Sequence, residues 1–312
     1  MRVFIAGATG VLGRRLVARF VESGHAVVGV VRDAAGEDLV ASLGGQGRRA
    51  DLFDADALAR ASEGCDVFVH AATAIPRTAR PTPADWELND KIRRDGTRAL
   101  TTAAARVGAK RYVQQSVIGV ARPSDGSAFD EDSPPHPDTL FRSALDGEHI
   151  ASDAGAQSGF SVAILRCGWF YGADAAHTRS LAAALRKRAL PIAGRGDAVW
   201  AILHVDDAAR AFLAAAQAGQ TGLWHVVDDC PVSVRDLLTY FAWRLGARPP
   251  RFVPAWLMRL LGGSVALDFF TRSSRTSNAR IRRDLGWTPR FPTYREGVDE
   301  IVARWDAERF TG

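Results

Sequence analysis

The sequence predicts an α/β fold in which a doubly wound parallel sheet is joined to a smaller C-terminal subdomain. A short apolar run, Val3 to Ala6, ends in glycines and is followed at once by helical spacing from Val11 to Glu22. Apolar runs then alternate with alanine-rich helical stretches, which is typical of a parallel sheet covered by helices. Beyond Trp169, proline and glycine interrupt this alternation. The second half of the chain is therefore expected to form a cap.

The other elements follow from the same two patterns. The next strands are predicted at Val27 to Val31, Val67 to His70, Arg111 to Gln115 and Val162 to Arg166. The helices between them are predicted at Asp54 to Ser62, Arg94 to Val107 and Ser143 to Ala156. We expect residues 1–168 to form a dinucleotide-binding domain, to which residues 198–226 return. Residues 169–197 and 227–312 are then expected to form a substrate-binding cap.

Composition excludes several classes of protein. The chain has 312 residues, of which 47% are hydrophobic and 24% charged, as in globular proteins. It has no apolar run long enough for a membrane span and no signal-peptide pattern, so we expect a cytoplasmic protein without a membrane partner. The net charge of +5 comes from basic residues scattered among acids, which argues against a nucleic-acid partner. Cys65, Cys167 and Cys230 match neither a metal site nor a disulfide framework, so we expect no metal.

The turn after the first strand carries a nucleotide-binding pattern. Its glycines allow a tight turn and the close approach of a pyrophosphate to the N-terminus of the next helix. This context predicts a Rossmann-type fold, with an ordinary strand-to-helix turn as the alternative. The cofactor-binding residues predicted here are Gly7, Thr9, Gly10, Val11, Leu12 and Gly13.

The end of the second predicted strand favours NADPH over NADH. Arg32 follows Val31 directly, and a guanidinium there suits a 2′-phosphate. In the alternative interpretation, Arg32 is a solvated charge and Asp33 binds the ribose of NADH.

Five further motifs extend over nearly the whole chain. They are Asp51-Leu52, Val69-His70-Ala71-Ala72, Gly96-Thr97, His204-Val205-Asp206-Asp207-Ala208 and Asp284-Leu285-Gly286-Trp287-Thr288-Pro289. Together with the glycine turn, they resemble the extended short-chain dehydrogenase/reductases, also called the NAD-dependent epimerase/dehydratase family. The resemblance adds a set of cofactor contacts: Asp51 and Leu52 at the adenine, Ala71, Ala72 and Thr73 beneath the nicotinamide ribose, and Ser116, Cys167 and Trp169 around the nicotinamide. It also makes a homodimer an expectation.

The residues that carry the family's proton chemistry are missing. By this resemblance, Leu140 occupies the position of the catalytic tyrosine, Ala144 that of the lysine and Arg93 that of the asparagine. Ser116 and Val117 straddle the serine position, and alignment on Val120 favours Val117. The loss does not depend on alignment, because the three lysines are preceded four residues earlier by Glu87, Arg106 and Ala183.

Reduction of a ketone therefore needs another source for its proton. Ser116, Thr73 and Arg93 are the catalytic candidates, the first two as hydroxyl groups near the nicotinamide and Arg93 as a cation that stabilises an oxyanion or phenolate. In the alternative interpretations, the Ser116 hydroxyl bonds to the main chain, Thr73 has a similar structural role, and Arg93 is a solvated charge on a helix. A substrate that protonates its own oxyanion through a neighbouring hydroxyl is a further hypothesis.

Aromatic residues of the second half predict an apolar substrate pocket. Its expected wall consists of Trp169, Phe170, Tyr171, Trp200, Trp256 and Met258, of which several are alternatively cap core. His136 and His177 are proton-donor candidates, with a solvated loop histidine as the alternative for each. His204 is expected to be structural.

The missing tetrad resembles that of atypical family members, among them an angucyclinone ketoreductase. The resemblance implies an NADPH-dependent ketoreductase of a secondary-metabolite ketone, with an apolar, polycyclic aromatic polyketide as the leading substrate. A noncatalytic NADPH-binding sensor or scaffold is one alternative. A cofactor-assisted isomerase or cyclase is another.

Overall fold

A parallel sheet of seven strands forms the centre of the protein, in a computed structural model that describes residues 1–76, 78 and 81–310. The strands of this sheet are β1 (Arg2–Ala6), β2 (Ala26–Val31), β3 (Gln46–Arg49), β4 (Val67–His70), β5 (Arg111–Val117), β6 (Ser161–Cys167) and β11 (Gly222–Val226). Their order across the sheet is β11-β6-β5-β4-β1-β2-β3. The order reverses direction at β1 and β4, so the doubly wound fold predicted from the sequence is confirmed.

Helices cover both faces of this sheet. The helices are α1 (Val11–Glu22), α2 (Ala34–Ser42), α3 (Ala55–Ala61), α4 (Pro83–Lys91), α5 (Thr97–Arg106), α6 (Arg142–Ser158), α7 (Ala176–Arg186), α8 (Val205–Gln217), α9 (Val234–Arg244), α10 (Ala255–Thr271), α11 (Ala279–Leu285) and α12 (Tyr294–Phe310). Side chains of β1 alternate between the two layers. Val3 and Ile5 belong to the core beneath α1 and α8, whereas Phe4 and Ala6 belong to the core beneath α3 and α5.

A further hydrophobic core lies outside the seven-stranded sheet. Three pairs of short strands contribute to this part: β7 (Trp169–Tyr171) with β10 (Ile202–His204), β9 (Val199–Trp200) with β12 (Val232–Ser233), and β8 (Ile192–Ala193) with β13 (Phe252–Val253). Trp200, Phe241 and Trp305 are among its buried side chains. Buried Asp207 ties the C-terminal segment to α8, because its carboxylate accepts hydrogen bonds from the main-chain N–H groups of Arg290 and Phe291.

Several elements were not predicted, among them α2, α4 and β11, and two departures in the sheet domain have clear physical reasons. The strand β3 has the sequence Gln-Gly-Arg-Arg, so it lacks an apolar period. The first turn of the helix predicted from Arg94 is instead a π-helical turn, Ile92–Gly96, which leads into α5. Within the described residues, no helix combines the length and the apolar character that crossing a membrane requires.

Candidate active site

The glycine turn lies where the carboxyl ends of β1 and β4 meet. Gly7 has a φ of 87°, and a Cβ atom there would lie 2.6 Å from the main-chain nitrogen of Ala72. A Cβ atom on Gly13 would lie 1.9 Å from the carbonyl oxygen of Gly7. Gly10 is the N-cap of α1 and offers no capping side chain. These positions require glycine and leave an open helix N-terminus, so the turn fits the pyrophosphate of a dinucleotide.

Arg32 is exposed directly after the buried strand β2. Among the described residues, no carboxylate lies within ion-pair distance of its guanidinium. Asp33 has another role, because its Oδ1 atom accepts a hydrogen bond of 2.9 Å from the main-chain N–H of Gly36 and caps α2. This arrangement favours Arg32 over Asp33 as the ribose-side contact, and the NADPH preference stays a prediction.

The other predicted cofactor contacts lie along the same edge of the sheet. Asp51 is exposed, and Leu52 packs against Gly96, where a Cβ atom would lie 3.2 Å from the Leu52 side chain. After β4, Ala71 is buried, Ala72 is half-buried and Thr73 is exposed. Their roles toward a cofactor remain predictions.

An apolar cluster surrounds the positions where the family has its proton-transfer residues. Its members are Val117, Val120, Leu140, Phe141, Ala144, Leu145 and Trp169. Ala144 is 5% exposed, and Leu140 is half-buried. None of the side chains at positions 117, 140 and 144 carries an ionisable group or a hydroxyl. These three side chains therefore have no proton to donate.

Arg93 lies beside this cluster rather than in solvent. It belongs to the π-helical turn, and its side chain is 8% exposed. The Nη1 atom donates hydrogen bonds to the carbonyl oxygen of Leu140 at 3.3 Å and to Oγ of Ser143 at 3.4 Å. Burial lowers the pKa of Arg93 to about 10, while the charge of Asp90 acts in the opposite direction. Arg93 is thus a buried cation at neutral pH, and the interpretation as a solvated helix charge is wrong.

Ser116 is held by a buried ion pair. Its hydroxyl donates a 2.5 Å hydrogen bond to Oε1 of Glu148. Glu148 also accepts two hydrogen bonds from Arg166, at 2.8 and 2.7 Å, and all three residues are nearly inaccessible. The proton of the Ser116 hydroxyl is committed to a carboxylate, so this geometry does not support the proposed donation to a substrate. Its contact with the cofactor stays a prediction.

The predicted pocket residues do not come together as one wall. Trp169 lies against the apolar cluster, its ring 6.0 Å from that of Phe141. Phe170 packs on the sheet core, and Trp200 is buried in the cap core beside Phe270. Trp256 is 68% exposed, whereas its neighbour Met258 is buried. Of this set, Trp169 is the residue that the described contacts place at the tyrosine position.

Tyr171 and the histidines have other surroundings. Tyr171 packs edge-on against His204 with a ring separation of 5.2 Å, and burial raises its pKa well above the usual value. A phenol held in this way is a poor proton donor. His136 and His177 are both exposed, and a ring nitrogen of His177 lies 2.6 Å from the carbonyl oxygen of Phe170.

His204 also approaches two carboxylates. Its Nε2 atom lies 3.3 Å from Oε2 of Glu300, and its Nδ1 atom accepts a hydrogen bond from the main-chain N–H of Asp206. Arg15 pairs with Asp206, and Arg304 pairs with Glu300. Two guanidinium groups already balance the carboxylates, so the cluster is an ion-pair network at the start of α8.

Sequence reasoning missed the buried charges around the site. Glu148, Arg166 and Arg122 are each less than 5% exposed. The signal for Glu148 was its position four residues after Ala144, on the buried face of a helix otherwise rich in alanine. No comparable pattern marks Arg122, because it lies in the irregular segment after β5.

The chain belongs to the NAD dependent epimerase/dehydratase family, whose sequence model matches residues 3–226. The resemblance inferred from the motifs is thereby confirmed. A 3-diazoavenalumate denitrifying reductase from a Streptomyces species is 35% identical, with 96% of this chain and 99% of the relative covered. A 4-hydroxy-2-methyl-3-oxo-4-farnesyl-3,4-dihydroquinoline-1-oxide ketoreductase from Stigmatella aurantiaca is 26% identical, with 96% of each chain covered.

Solved structures agree on the fold. The UDP-glucose 4-epimerase of Thermotoga maritima aligns with a TM-score of 0.82 at 18% identity and covers 99% of this chain and 100% of its own. A human epimerase family protein solved with NADPH aligns with a TM-score of 0.79 at 20% identity, covering 97% of this chain and 99% of its own. Family membership and the reductases among the relatives make the chain an NAD(P)-dependent oxidoreductase.

Proposed function

We propose that the protein is an NADPH-dependent reductase of an aromatic secondary metabolite, and that its substrate needs no proton from the protein. The observation that carries this proposal is the apolar cluster at positions 117, 140 and 144. A bound nicotinamide cofactor supplies a hydride. The protein then has to bind and orient the two reactants and to exclude water, which Leu140, Ala144 and Trp169 are suited to do.

Reductive loss of dinitrogen from an aromatic diazonium group is the reaction class that fits this site best. The hydride forms a new C–H bond, the C–N bond breaks, and its electron pair leaves with dinitrogen. The nicotinamide is oxidised, the aromatic carbon is reduced, and no proton is consumed. A missing acid therefore costs this reaction nothing. The relative at 35% identity is named for a denitrifying reduction, which supports the same class.

Reduction of a ketone flanked by a phenol or enol is the second candidate. Here the hydride adds to the carbonyl carbon, the π electron pair moves to oxygen, and the neighbouring hydroxyl gives its proton to the new alkoxide. The relative named as a ketoreductase favours this class. Arg93 would then stabilise the resulting phenolate, since a buried cation interacts strongly with a nearby anion. An aromatic polyketide ketone with a neighbouring hydroxyl remains the substrate proposed for this branch.

Oxidation of NADPH in the presence of three probes tests the proposal. The probes are an ortho-diazophenol, an ortho-hydroxyaryl ketone and the methyl ether of that ketone. We expect turnover of the diazophenol or the hydroxyketone and at least about a hundredfold slower turnover of the ether, because the ether has no proton to give. Comparable rates for the ether and the hydroxyketone would contradict substrate-assisted protonation. Failure of all three probes would contradict the reductase proposal for these substrate classes.

The variant Arg93→Met tests the second candidate reaction, reduction of the hydroxyketone. It removes the cation beside Leu140 and is expected to slow reduction of the hydroxyketone by about tenfold or more. The matched control is Arg94→Met, because Arg94 is half-buried and pairs with Asp146 away from Leu140. Equal losses in the two variants would show that Arg93 acts through general stability.

A further inference from the structure

Arg122 is a buried cation with one unpartnered N–H group among the described residues. It follows β5 and a short 3₁₀ turn, and its side chain is 4% exposed. The Nε atom has no hydrogen-bond partner in the part of the chain that the structure describes. The Nη2 atom lies 3.5 Å from Oδ2 of Asp138. Burial of a charged group without hydrogen bonds is costly, so this position calls for an additional acceptor.

Arg272 shares the same carboxylate oxygen. Its Nη1 atom lies 3.3 Å from Oδ2 of Asp138, and its Nε atom is also buried without a partner among the described residues. Two guanidinium groups therefore face one carboxylate. Burial lowers the pKa of Arg122, and the charge of Arg272 lowers it further, as expected for two cations held close together. The other carboxylates of this region, Asp125 and Asp268, are exposed.

An open cleft of about 450 Å³ is lined by Arg272 and by Ala121 and Pro123, the residues on either side of buried Arg122. Its lining also includes His136 and one carboxylate, Asp125. Arg122 itself lies close to the tyrosine position, because its Cζ atom is 5.9 Å from the ring of Phe141, the residue after Leu140. A group bound at Arg122 would thus be about one aromatic ring away from the apolar cluster.

We propose that Arg122 and Arg272 bind a carboxylate of the substrate, so that the substrate is an aromatic acid whose reacting ring lies at the apolar cluster. This inference rests on the proposed function and deepens it. Guanidinium groups bind carboxylates through two parallel N–H donors, and each arginine has a free Nε for this geometry. The carboxylate would add a negative charge beside the two guanidinium groups, which share Asp138, whereas Asp268, which also acts on Arg122, is exposed.

Calorimetric titration of the full chain, with and without NADP⁺, tests the site. The probes are para-hydroxycinnamate, its neutral amide and acetate. We expect para-hydroxycinnamate to bind at least about tenfold more tightly than the amide, and acetate to bind weakly because it lacks the ring. Arg122→Met and Arg272→Met are expected to abolish the preference for the acid. Arg275→Met is the matched control, because Arg275 is exposed and its recorded contacts are made by the main chain.

Several outcomes would overturn the inference. They are equal affinity for acid and amide, an unchanged preference in Arg272→Met, and acetate binding as tight as that of para-hydroxycinnamate, which would indicate a site for free anions. If Arg122→Met does not fold, the preference for the acid over the amide is measured in Arg272→Met and Arg122→Lys instead. If para-hydroxycinnamate binds in an arginine-dependent way but the diazophenol and hydroxyketone probes cause no NADPH oxidation, the carboxylate site is retained and the proposed reaction is contradicted. Equal rates of NADPH oxidation with substrates that have and lack a carboxylate would support the proposed reaction and contradict the carboxylate site.

Discussion

The guanidinium of Arg93 donates a hydrogen bond to the main-chain oxygen of Leu140 over 3.3 Å. This contact joins the π-helical turn before α5 to the segment that leads into α6. It places a buried positive charge next to the position where the family has its tyrosine. The site therefore lacks the family's tyrosine and holds a cation close by, which suits a phenolate oxygen on the substrate, as in an ortho-diazophenol or in the product of hydroxyketone reduction.

The glycine turn should tolerate no side chain at Gly13. In Gly13→Ala, the new Cβ would overlap the carbonyl oxygen of Gly7, so the turn must deform. We expect the affinity for NADPH to fall by at least about tenfold, as measured by calorimetry. Gly219→Ala is the matched control, because a Cβ there meets nothing within 4 Å. An unchanged NADPH affinity in Gly13→Ala would contradict the assignment of this turn to the cofactor.

Arg32 should set the choice between NADPH and NADH. The residue is exposed at the end of β2, so Arg32→Ala is expected to weaken NADPH binding by about tenfold and to leave NADH binding nearly unchanged. Titrations of both cofactors into each variant measure this. Lys110→Ala removes the same charge at the opposite edge of the sheet and should alter neither affinity. A parallel loss for both cofactors in Arg32→Ala would point to a general electrostatic effect.

The ion pair between Glu148 and Arg166 should be costly to break from one side. Both side chains are less than 5% exposed, and Glu148→Gln leaves the guanidinium buried without its counter-charge. We expect a loss of about 3–5 kcal/mol in the free energy of unfolding, measured by chemical denaturation. The double variant Glu148→Leu with Arg166→Met should lose much less, since it removes both charges. Additive losses would show that the pair is not coupled.

Asp228 should make the protein less stable in alkaline solution. Burial raises its pKa to about 8, and nearby carboxylates add to this effect. Between the unfolded pKa near 3.8 and about 8, the folded chain keeps a proton that the unfolded chain has lost, so stability falls as pH rises through this window.

Asp228→Asn should therefore be the more stable form at about pH 8, by on the order of 1 kcal/mol or more. Thermal unfolding between about pH 6.5 and about pH 8.5 avoids the titration of buried His70 and His225, whose lowered pKa values act in more acidic solution. Asp153→Asn is the control, because Asp153 is exposed on α6. A variant whose pH dependence matches that of the unmodified protein would refute this role of Asp228.

Local sequence patterns were sufficient for the sheet and its glycine turn. The bounds Val11–Glu22 and Val67–His70 agree with the prediction, because both segments have clear periodicity and adjoin glycine or a polar turn. The absence of the family's tyrosine and lysine pair also followed from the sequence, since no tyrosine precedes a lysine by four residues.

The surroundings of the charged residues did not follow from the sequence. Arg93 and Arg94 are adjacent arginines, yet one is buried and the other half-buried, because a π-helical turn directs them differently. Arg122 and Arg272 lie 150 positions apart in the sequence, and the segment after α10, where the Arg275 carbonyl oxygen accepts a hydrogen bond from the Phe129 N–H, brings them to the same carboxylate. Trp200 and Trp256 were indistinguishable by residue type, whereas their exposed fractions are 5% and 68%.

The most direct test of the central claim follows the hydrogen atom that the substrate gains. An ortho-diazophenol is incubated with the protein and NADPH that carries deuterium at the transferable positions of the nicotinamide, in ordinary water, and the product is analysed by mass spectrometry. We expect one deuterium on the aromatic carbon that has lost dinitrogen, and none when the label is in the water instead. A product labelled from the water would contradict a hydride transfer that needs no proton from the protein.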